Sequence, residues 1–380
     1  MKHLVQRPLP DESVCSALVR TARRAGLPIG AVTPALTGGR KWYPGFFQGG
    51  HLGVLAEAMR ISPVELLCSH TYFPYATTFF DQPLLDRCTS NALSTGKIAL
   101  GQSVVTQGVS ERCPFRRFCA KCARADALQW GESYWHRSHN LPGVRICLEH
   151  QAPLVETQLP TTGTGQWHDV LPAEAVGQSL RAQDITEFDR ELARASVARL
   201  FAHRIIANVG LGRTHYRHAL IRKGLLSSDR QVNAAALSRW ATGVIGPSPA
   251  RLGFKPSDLS FAWMAQMVRP NTGVPVCPLK HLVFQTALSI GGDSPTPILD
   301  HIPSGPSGNG VDRLDLIYSR RLKGVMQVAI RTGERIRVRD ALVAAGCWSA
   351  YRHARADFPE TGAIVLELRR SDASARKIAT

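Results

Sequence analysis

Acidic residues are scarce in this chain. Of its 380 residues, 29 are Asp or Glu and 46 are Lys or Arg, giving a formal net charge of +17. A nuclease-type centre needs several carboxylates converging on paired metals, and so small a stock argues against one. Asp184, Glu187, Asp189 and Glu191 lie close together, but they precede the apolar VARLF and read as charges on a helix surface. The chain has no glycine phosphate loop ending in Lys-Ser or Lys-Thr, no G-x-S-x-G and no H-E-x-x-H. Their absence removes the usual routes to ATP hydrolysis, serine hydrolysis and zinc proteolysis. No apolar run approaches the roughly 20 residues that cross a bilayer. The opening MKHLVQRPLPDES has a basic start but neither the apolar core nor the cleavage pattern of a signal peptide. These absences predict a folded cytoplasmic protein that is not an enzyme and does not enter a membrane. No internal repeat is visible.

The excess of positive charge is itself informative. It raises the local concentration of anions and speeds encounter with polyanions, of which nucleic acid is the usual one. The nine cysteines are 15, 68, 88, 113, 119, 122, 147, 277 and 347. An odd total without an export signal, with four between 113 and 147, points to metal ligation rather than disulfides. Cys119 and Cys122 form a C-x2-C pair, and Cys147 and His150 a C-x2-H pair, with 24 residues between the pairs. Two short chelate loops joined by a longer segment suit a structural tetrahedral zinc site. With four protein ligands no position is left for water, so metal-assisted hydrolysis is not expected there. One zinc ion per chain is predicted. Cys113 is a spare that could replace Cys119, and His136 and His139 are the other candidate ligands. An iron–sulfur cluster fits the mixed ligand set less well. Residues 111–145 carry seven Arg or Lys against three acidic residues, beside Trp130, Tyr134 and Trp135. Such a mixture can grip nucleic acid or build the small core that a zinc module needs; for Trp135 the core is expected.

Helical signals run along the rest of the chain. Residues 11–26 form one amphipathic helix capped by Ser13 or Asp11. Residues 52–68 divide at Ser62-Pro63, with Glu65 completing a capping box; the two short helices form a helix-turn-helix or, preferably, an ordinary helical corner. The aromatic run TYFPYATTFF at 71–80 is a lid or, more commonly, core. The Thr, Gly and Pro of residues 158–172 read as a linker. Helices are expected over 173–208, 214–225, 230–242, 257–268 and 278–289, then a polar loop over 291–310. Residues 313–356 hold ten Arg or Lys against Asp315, Glu334 and Asp340, and the last dozen residues look like a tail.

The stretch FCAKCARADALQWGESYWHRSHNLPGVRICLEHQAPLVET closely resembles the TniQ family. The shared pattern is the C-x2-C knuckle, Asp126, G-x-x-YW-x-R-x-H-x-LPGV from Gly131 to Val144, the C-x2-H knuckle and Leu154. PLPDESVCSALVRTARRAGL resembles the family's opening helix. Further on, Tyr216 to Trp240 and CPLKHLVFQTAL, from Cys277 to Leu288, resemble the longer TnsD branch, with Cys277 and Lys280 where that branch has histidine and arginine. The resemblance implies a mainly α, multidomain chain. Residues 1–157 would be a TniQ-like helical domain with a CCCH zinc-finger insert at about 111–156. Residues 173–292 would be a TnsD-like helical domain, and 311–360 a basic helical segment in contact with DNA.

The same resemblance implies a target-selection adaptor of a TnsABCD-type transposon, binding double-stranded attachment-site DNA and recruiting a TnsC-like AAA+ ATPase. One alternative is an adaptor docked on a CRISPR effector complex with its guide RNA, reading little sequence itself. A zinc-stabilised DNA-binding regulator outside transposition is a second. A homodimer would suit an adaptor that seeds an ATPase ring. For direct contact with DNA, residues 333–359 suggest helix-turn-helix order, with a first helix near 338–345 and a second near 348–355. The candidate contacts are Arg337, Arg339, Ser349, Tyr351, Arg352 and Arg355, with Arg320, Arg321 and Lys323 adding phosphate contacts.

Overall fold

The computed structural model describes residues 2–37, 51–80, 82–94, 113–161, 169–179, 182–201, 209–226, 232–246, 252–254, 258–268, 277–290, 338–345 and 358–377, with single or paired positions between 315 and 326 and at 347 and 351. The described chain is mainly helical.

Helix α1 (Val14–Ala25) starts where Ser13, in extended conformation, accepts a hydrogen bond from the Ser16 amide at 3.2 Å. It stops at Gly26, whose left-handed φ of 64° lets its amide reach the Ala22 and Arg23 carbonyls. Helix α2 (Ile29–Thr37) packs against it. Helices α3 (Leu52–Met59) and α4 (Pro63–His70) meet at Ser62, which caps α4 by accepting from the Glu65 amide at 3.0 Å. Leu52, Leu55 and Met59 of α3 and Leu66 and Leu67 of α4 enter one core with Val14, Leu18 and Ala22. The pair thus forms a helical corner. Tyr72, Tyr75 and Phe80, around the short helix α5 (Phe73–Ala76), are fully buried, so the aromatic run is core and not a lid. Helix α6 (Gln82–Ser94) closes this layer.

The cysteine-rich segment follows. Strand β1 (Phe115–Phe118) leads into α7 (Ala120–Trp130), and β2 (Ile146–Cys147) forms a hairpin with β3 (Ala152–Pro153). Strand β4 (Val155–Pro160) lies between β1 and β5 (Gly177–Ser179) in an antiparallel sheet. Two expectations are corrected here. Residues 158–160, read as the start of a linker, belong to β4, and the helix expected from 173 begins only at Glu187. The cause is strand pairing: Gly177 sits so close to β4 that a Cβ would stand 2.4 Å from the Glu156 carbonyl oxygen. Only glycine permits that approach.

Helices α8 (Glu187–Phe201), α9 (Val209–Arg222), α10 (Ala234–Ile245), α11 (Ala262–Val268) and α12 (Pro278–Ile290) follow. Their apolar faces share one core with the cysteine-rich segment: Trp135, Leu141, Ile146 and Leu154 join Phe188, Leu192, Leu282 and Phe284. Gly143 of the LPGV stretch is at that junction. Its φ is 75°, and a Cβ there would lie 3.0 Å from both Leu192 and Leu279.

A smaller core gathers Leu322, Leu342, Ala345 and Cys347 against Ile364, Val365 and Leu368. It is built from α13 (Val338–Ala344) and α14 (Pro359–Lys377). Residues 371–377, expected as part of a tail, lie within α14. Asp315 initiates that helix, its carboxylate accepting from the Glu360 and Thr361 amides at 2.6 and 2.7 Å. Such capping satisfies amides that have no partner inside the helix. Phe358 packs on Val64 of α4, joining this part to the N-terminal layer. Among the described residues no helix is long and apolar enough to cross a membrane.

Candidate metal centre

Four side chains separated by up to 31 residues converge. The Cys119, Cys122 and Cys147 sulfurs and a His150 ring nitrogen all lie within 4.8 Å of one another. Cys122 Sγ is 3.7 Å from Cys147 Sγ and 3.2 Å from His150 Nδ1. The other two sulfurs are each 3.7 Å from the same nitrogen. A tetrahedron with metal–sulfur bonds of about 2.3 Å and metal–nitrogen bonds of about 2.0 Å has edges of about 3.5–3.8 Å. The cluster therefore fits a single tetrahedral ion. The three cysteines are buried, as such a site requires.

Local structure explains the convergence. Cys119 is the N-cap of α7 and Cys122 lies in its first turn, so one helix start presents both sulfurs. Cys147 ends β2, and the chain turns tightly enough for the His150 amide to donate to Cys147 Sγ at 3.5 Å. Gln151, with φ 49°, completes the turn into β3. Mutual hydrogen bonds within the trio hold the Cys119 thiol below its ordinary range and push those of Cys122 and Cys147 above it, so the three sulfurs share protons that a bound metal would displace. The spare candidates stand outside the tetrahedron. Cys113 accepts from Arg117 Nη2 at 2.8 Å. His136 is engaged by two carboxylates, and His139 approaches Cys122 at 3.8 Å without joining the set.

A layer of buried charge surrounds the cluster. Arg117 donates to the Leu141 carbonyl at 2.8 Å and also to that of Val144. Its backbone is clamped by Asn140, which accepts from the Arg117 amide at 2.7 Å and donates to its carbonyl at 3.0 Å. Arg137 reaches the other way. Its guanidinium donates to the Thr71 carbonyl at 2.6 Å and pairs with Asp11 at 3.3 Å, while its amide donates to the Asp11 carbonyl at 2.8 Å. The D-E-S opening is thereby fastened to the motif between the knuckles. Glu12 is wholly buried, pairs with Arg20 at 2.7 Å and accepts from the Ser16 hydroxyl at 2.7 Å. His136 sits between Asp126, 2.9 Å away, and Asp11, 3.6 Å away. Burial opposes its charge, but hydrogen bonds to Asp11 and Asp126 prevail and raise its pKa to about 10. Trp135 is fully buried, its Nε1 donating to the Val170 carbonyl at 3.0 Å, and the Arg116 guanidinium lies over its ring.

Most of the basic residues in this segment are therefore turned inward. Arg116, Arg117, Arg137 and Arg145 are buried, Lys121 and Arg124 are exposed, and Trp130 is 38% exposed. Of the candidate DNA contacts, Lys323 and Arg339 are exposed, and Tyr351 is half-buried among the apolar residues around Leu342 and Phe358. Arg320, Arg321, Arg337, Ser349, Arg352 and Arg355 lie outside the described residues. Arg117 and Asn140 were not singled out from the sequence, and Asp11 was read there only as an alternative helix cap. For Asp11 the available signal was its place in the D-E-S opening, and for Asn140 its place inside H-x-LPGV.

Residues 3–154 match the TniQ family. Over 143 residues the chain is 28% identical to the Transposon Tn7 transposition protein TnsD of Escherichia coli, covering 35% of this chain and 28% of that protein. The matched segment thus spans little more than a quarter of that relative's length.

Proposed function

We propose that this chain, whose residues 3–154 match the TniQ family and which is similar over 143 residues to a TnsD protein, belongs to the TniQ/TnsD family and selects target sites for a TnsABCD-type transposon, acting as an adaptor and not as a catalyst. It binds attachment-site DNA and recruits a TnsC-like ATPase. The observation that carries this reading is the convergence of Cys119, Cys122, Cys147 and His150 in the last part of the matched segment. We assign it one Zn²⁺. Three sulfurs and one imidazole suit zinc, and four protein ligands give it a structural role. Metal binding closes both knuckles, and Arg137, Asp11 and His136 transmit that rigidity to α1 and α4. A partner then meets a fixed surface on a domain of modest size.

DNA contact belongs to the basic segment at 311–360, where Lys323 and Arg339 are exposed. Phosphate contacts of this kind release counterions and depend steeply on salt. The test titrates the full chain against attachment-site and scrambled duplexes at two salt concentrations, with a TnsC-like ATPase added last. Tight binding to one site, followed by ATPase recruitment to that duplex, is expected. Equal weak binding to both duplexes would remove the direct-reading role and leave an adaptor steered by an RNA-guided complex.

A further inference from the structure

Of the three sulfurs in the cluster, one has less support than the others. The Cys122 amide favours the thiolate of Cys119, and Cys147 Sγ accepts from the His150 amide at 3.5 Å. Besides its fellow ligands, Cys122 Sγ is approached by Glu149 and His139, and no backbone amide among the described residues donates to it. Glu149 Oε2 is 3.8 Å away, so a Cys122 that has lost its proton faces a carboxylate. Three thiolates outweigh the charge of a divalent ion, and a filled site is net negative. Cys122 is only 3% exposed. Negative charge buried in this way is costly unless a donor takes the place of water.

His139 is the donor in reach, with Nε2 3.8 Å from Cys122 Sγ. It sits in the single 3-10 turn Ser138–Asn140 and is buried, its ring tilted over that of His136 at a centroid distance of 4.8 Å. Its Nδ1 is buried too and has no hydrogen-bond partner among the described residues. A ring hydrogen on Nδ1 would be an orphaned buried donor, which folded proteins seldom leave. It would also turn the Nε2 lone pair toward a sulfur anion. With the hydrogen on Nε2, the ring donates to the sulfur and only an acceptor goes unused. The bond made by one ring nitrogen thus sets the tautomer of the whole ring.

We infer that His139 is a positioning residue of the metal centre, donating from Nε2–H to the Cys122 sulfur. It does not touch the metal. It steadies the one thiolate that the two knuckle amides do not reach, and it offsets the Glu149 carboxylate on the same sulfur. Outer partners of this kind fix ligand orientation and strengthen metal retention. The inference rests on the zinc assignment above, and adds to it a residue whose role is separable from ligation.

The full chain serves throughout the test. In wild-type protein with nitrogen-labelled histidine and NMR-active cadmium in place of zinc, the His139 hydrogen is expected on Nε2. A hydrogen on Nδ1 overturns the inference, and this arm needs no variant to fold. His139→Phe keeps a ring on His136 but has no donor. It should hold zinc about 10–100-fold less tightly against a competing chelator. In the cobalt-substituted protein it should also move the sulfur-to-metal charge-transfer band to lower energy, because a thiolate without its donor gives up electron density more readily. His139→Gln, whose side-chain amide offers an N–H near the Nε2 position, should recover part of both. Wild-type affinity and an unmoved band in His139→Phe overturn the inference. Equal losses of affinity in both variants with unmoved bands overturn it too, and reduce His139 to packing. Loss of the tetrahedral cobalt bands in His139→Phe would make His139 a ligand and likewise end its outer role. A wild type that takes up no metal removes the zinc assignment, and this inference with it.

Discussion

Two basic stretches of this chain use their charge in opposite directions. Between 111 and 145, four arginines turn inward: Arg116 lies over Trp135, Arg117 holds the LPGV carbonyls, Arg137 ties Asp11 to the end of α4, and Arg145 pairs with Asp189. Between 313 and 356, Lys323 and Arg339 face solvent around a small core. Basic side chains serve architecture in the first stretch and stand exposed in the second. Local charge density does not separate the two uses; burial does. Buried arginines survive where backbone carbonyls, an aromatic face or a carboxylate replace their water.

The largest expected effect tests what closes the first region. Cys119→Ser or Cys147→Ser should lose the metal and unfold residues 113–161, because metal-binding free energy in such sites is folding free energy, about 10 kcal/mol or more in zinc-finger peptides. Elemental analysis and far-UV circular dichroism would check it. Full metal content in either variant would remove that cysteine from the ligand set. Next comes Arg137→Met. It removes one of the two cations beside Asp11, leaving His136, and breaking such a buried pair costs up to about 3–5 kcal/mol. Denaturant titration reads this directly, and a change below about 1 kcal/mol would class the pair with surface contacts.

A smaller loss is expected for Gly143→Ala. The left-handed backbone disfavours any Cβ, and Leu192 and Leu279, each 3.0 Å away, would have to move. Overpacking of this kind costs about 1–3 kcal/mol. An alanine variant as stable as wild type would mean that α8 and α12 adjust freely at the junction.

His136 gives the first region a pH dependence. Its folded pKa, about 10, lies above the ordinary 6.5 because Asp11 and Asp126 outweigh burial. The folded state therefore keeps a proton that the unfolded chain releases. The stabilisation is complete below about pH 6.5 and declines as pH rises to 10, with a slope of up to about 1.4 kcal/mol per pH unit. His136→Gln should flatten the decline. Equal slopes in both proteins would assign the dependence to other groups.

How much of this was legible in the sequence differs between the two regions for the same reason. The cysteine spacing identified the Cys3His cluster because paired C-x2-C and C-x2-H ligands leave few alternatives, and the Ser13 and Ser62 caps located helix starts through short-range hydrogen bonds. Strands β4 and β5 were not legible. Their pairing joins Val155 to Ser179 and Thr157 to Gly177, and polar, Thr- and Gly-rich residues at that spacing carry the same local signal as a loop. The end of α14 was missed because SDASARK is polar, so nothing in its periodicity marks a buried face. Asp315, which caps that helix from 45 residues away, has no local signature at all.

The smallest expected effect concerns the outward-facing charges. Lys323 is exposed, so replacing it with alanine should barely change stability. Each phosphate contact contributes a slope of about −0.9 to the dependence of log binding constant on log salt for duplex DNA. Losing one contact should therefore reduce that slope by about 1, with affinity falling to a similar degree on every sequence. Arg117, in the inward-facing stretch, should do the reverse: Arg117→Met would lower stability and leave the salt slope of any folded fraction intact. If instead Lys323→Ala and Arg339→Ala both preserve the wild-type slope, the exposed charge of the second region does not touch phosphate. The DNA surface would then have to be sought at Lys121 and Arg124 on α7, which are exposed among the described residues of the first region.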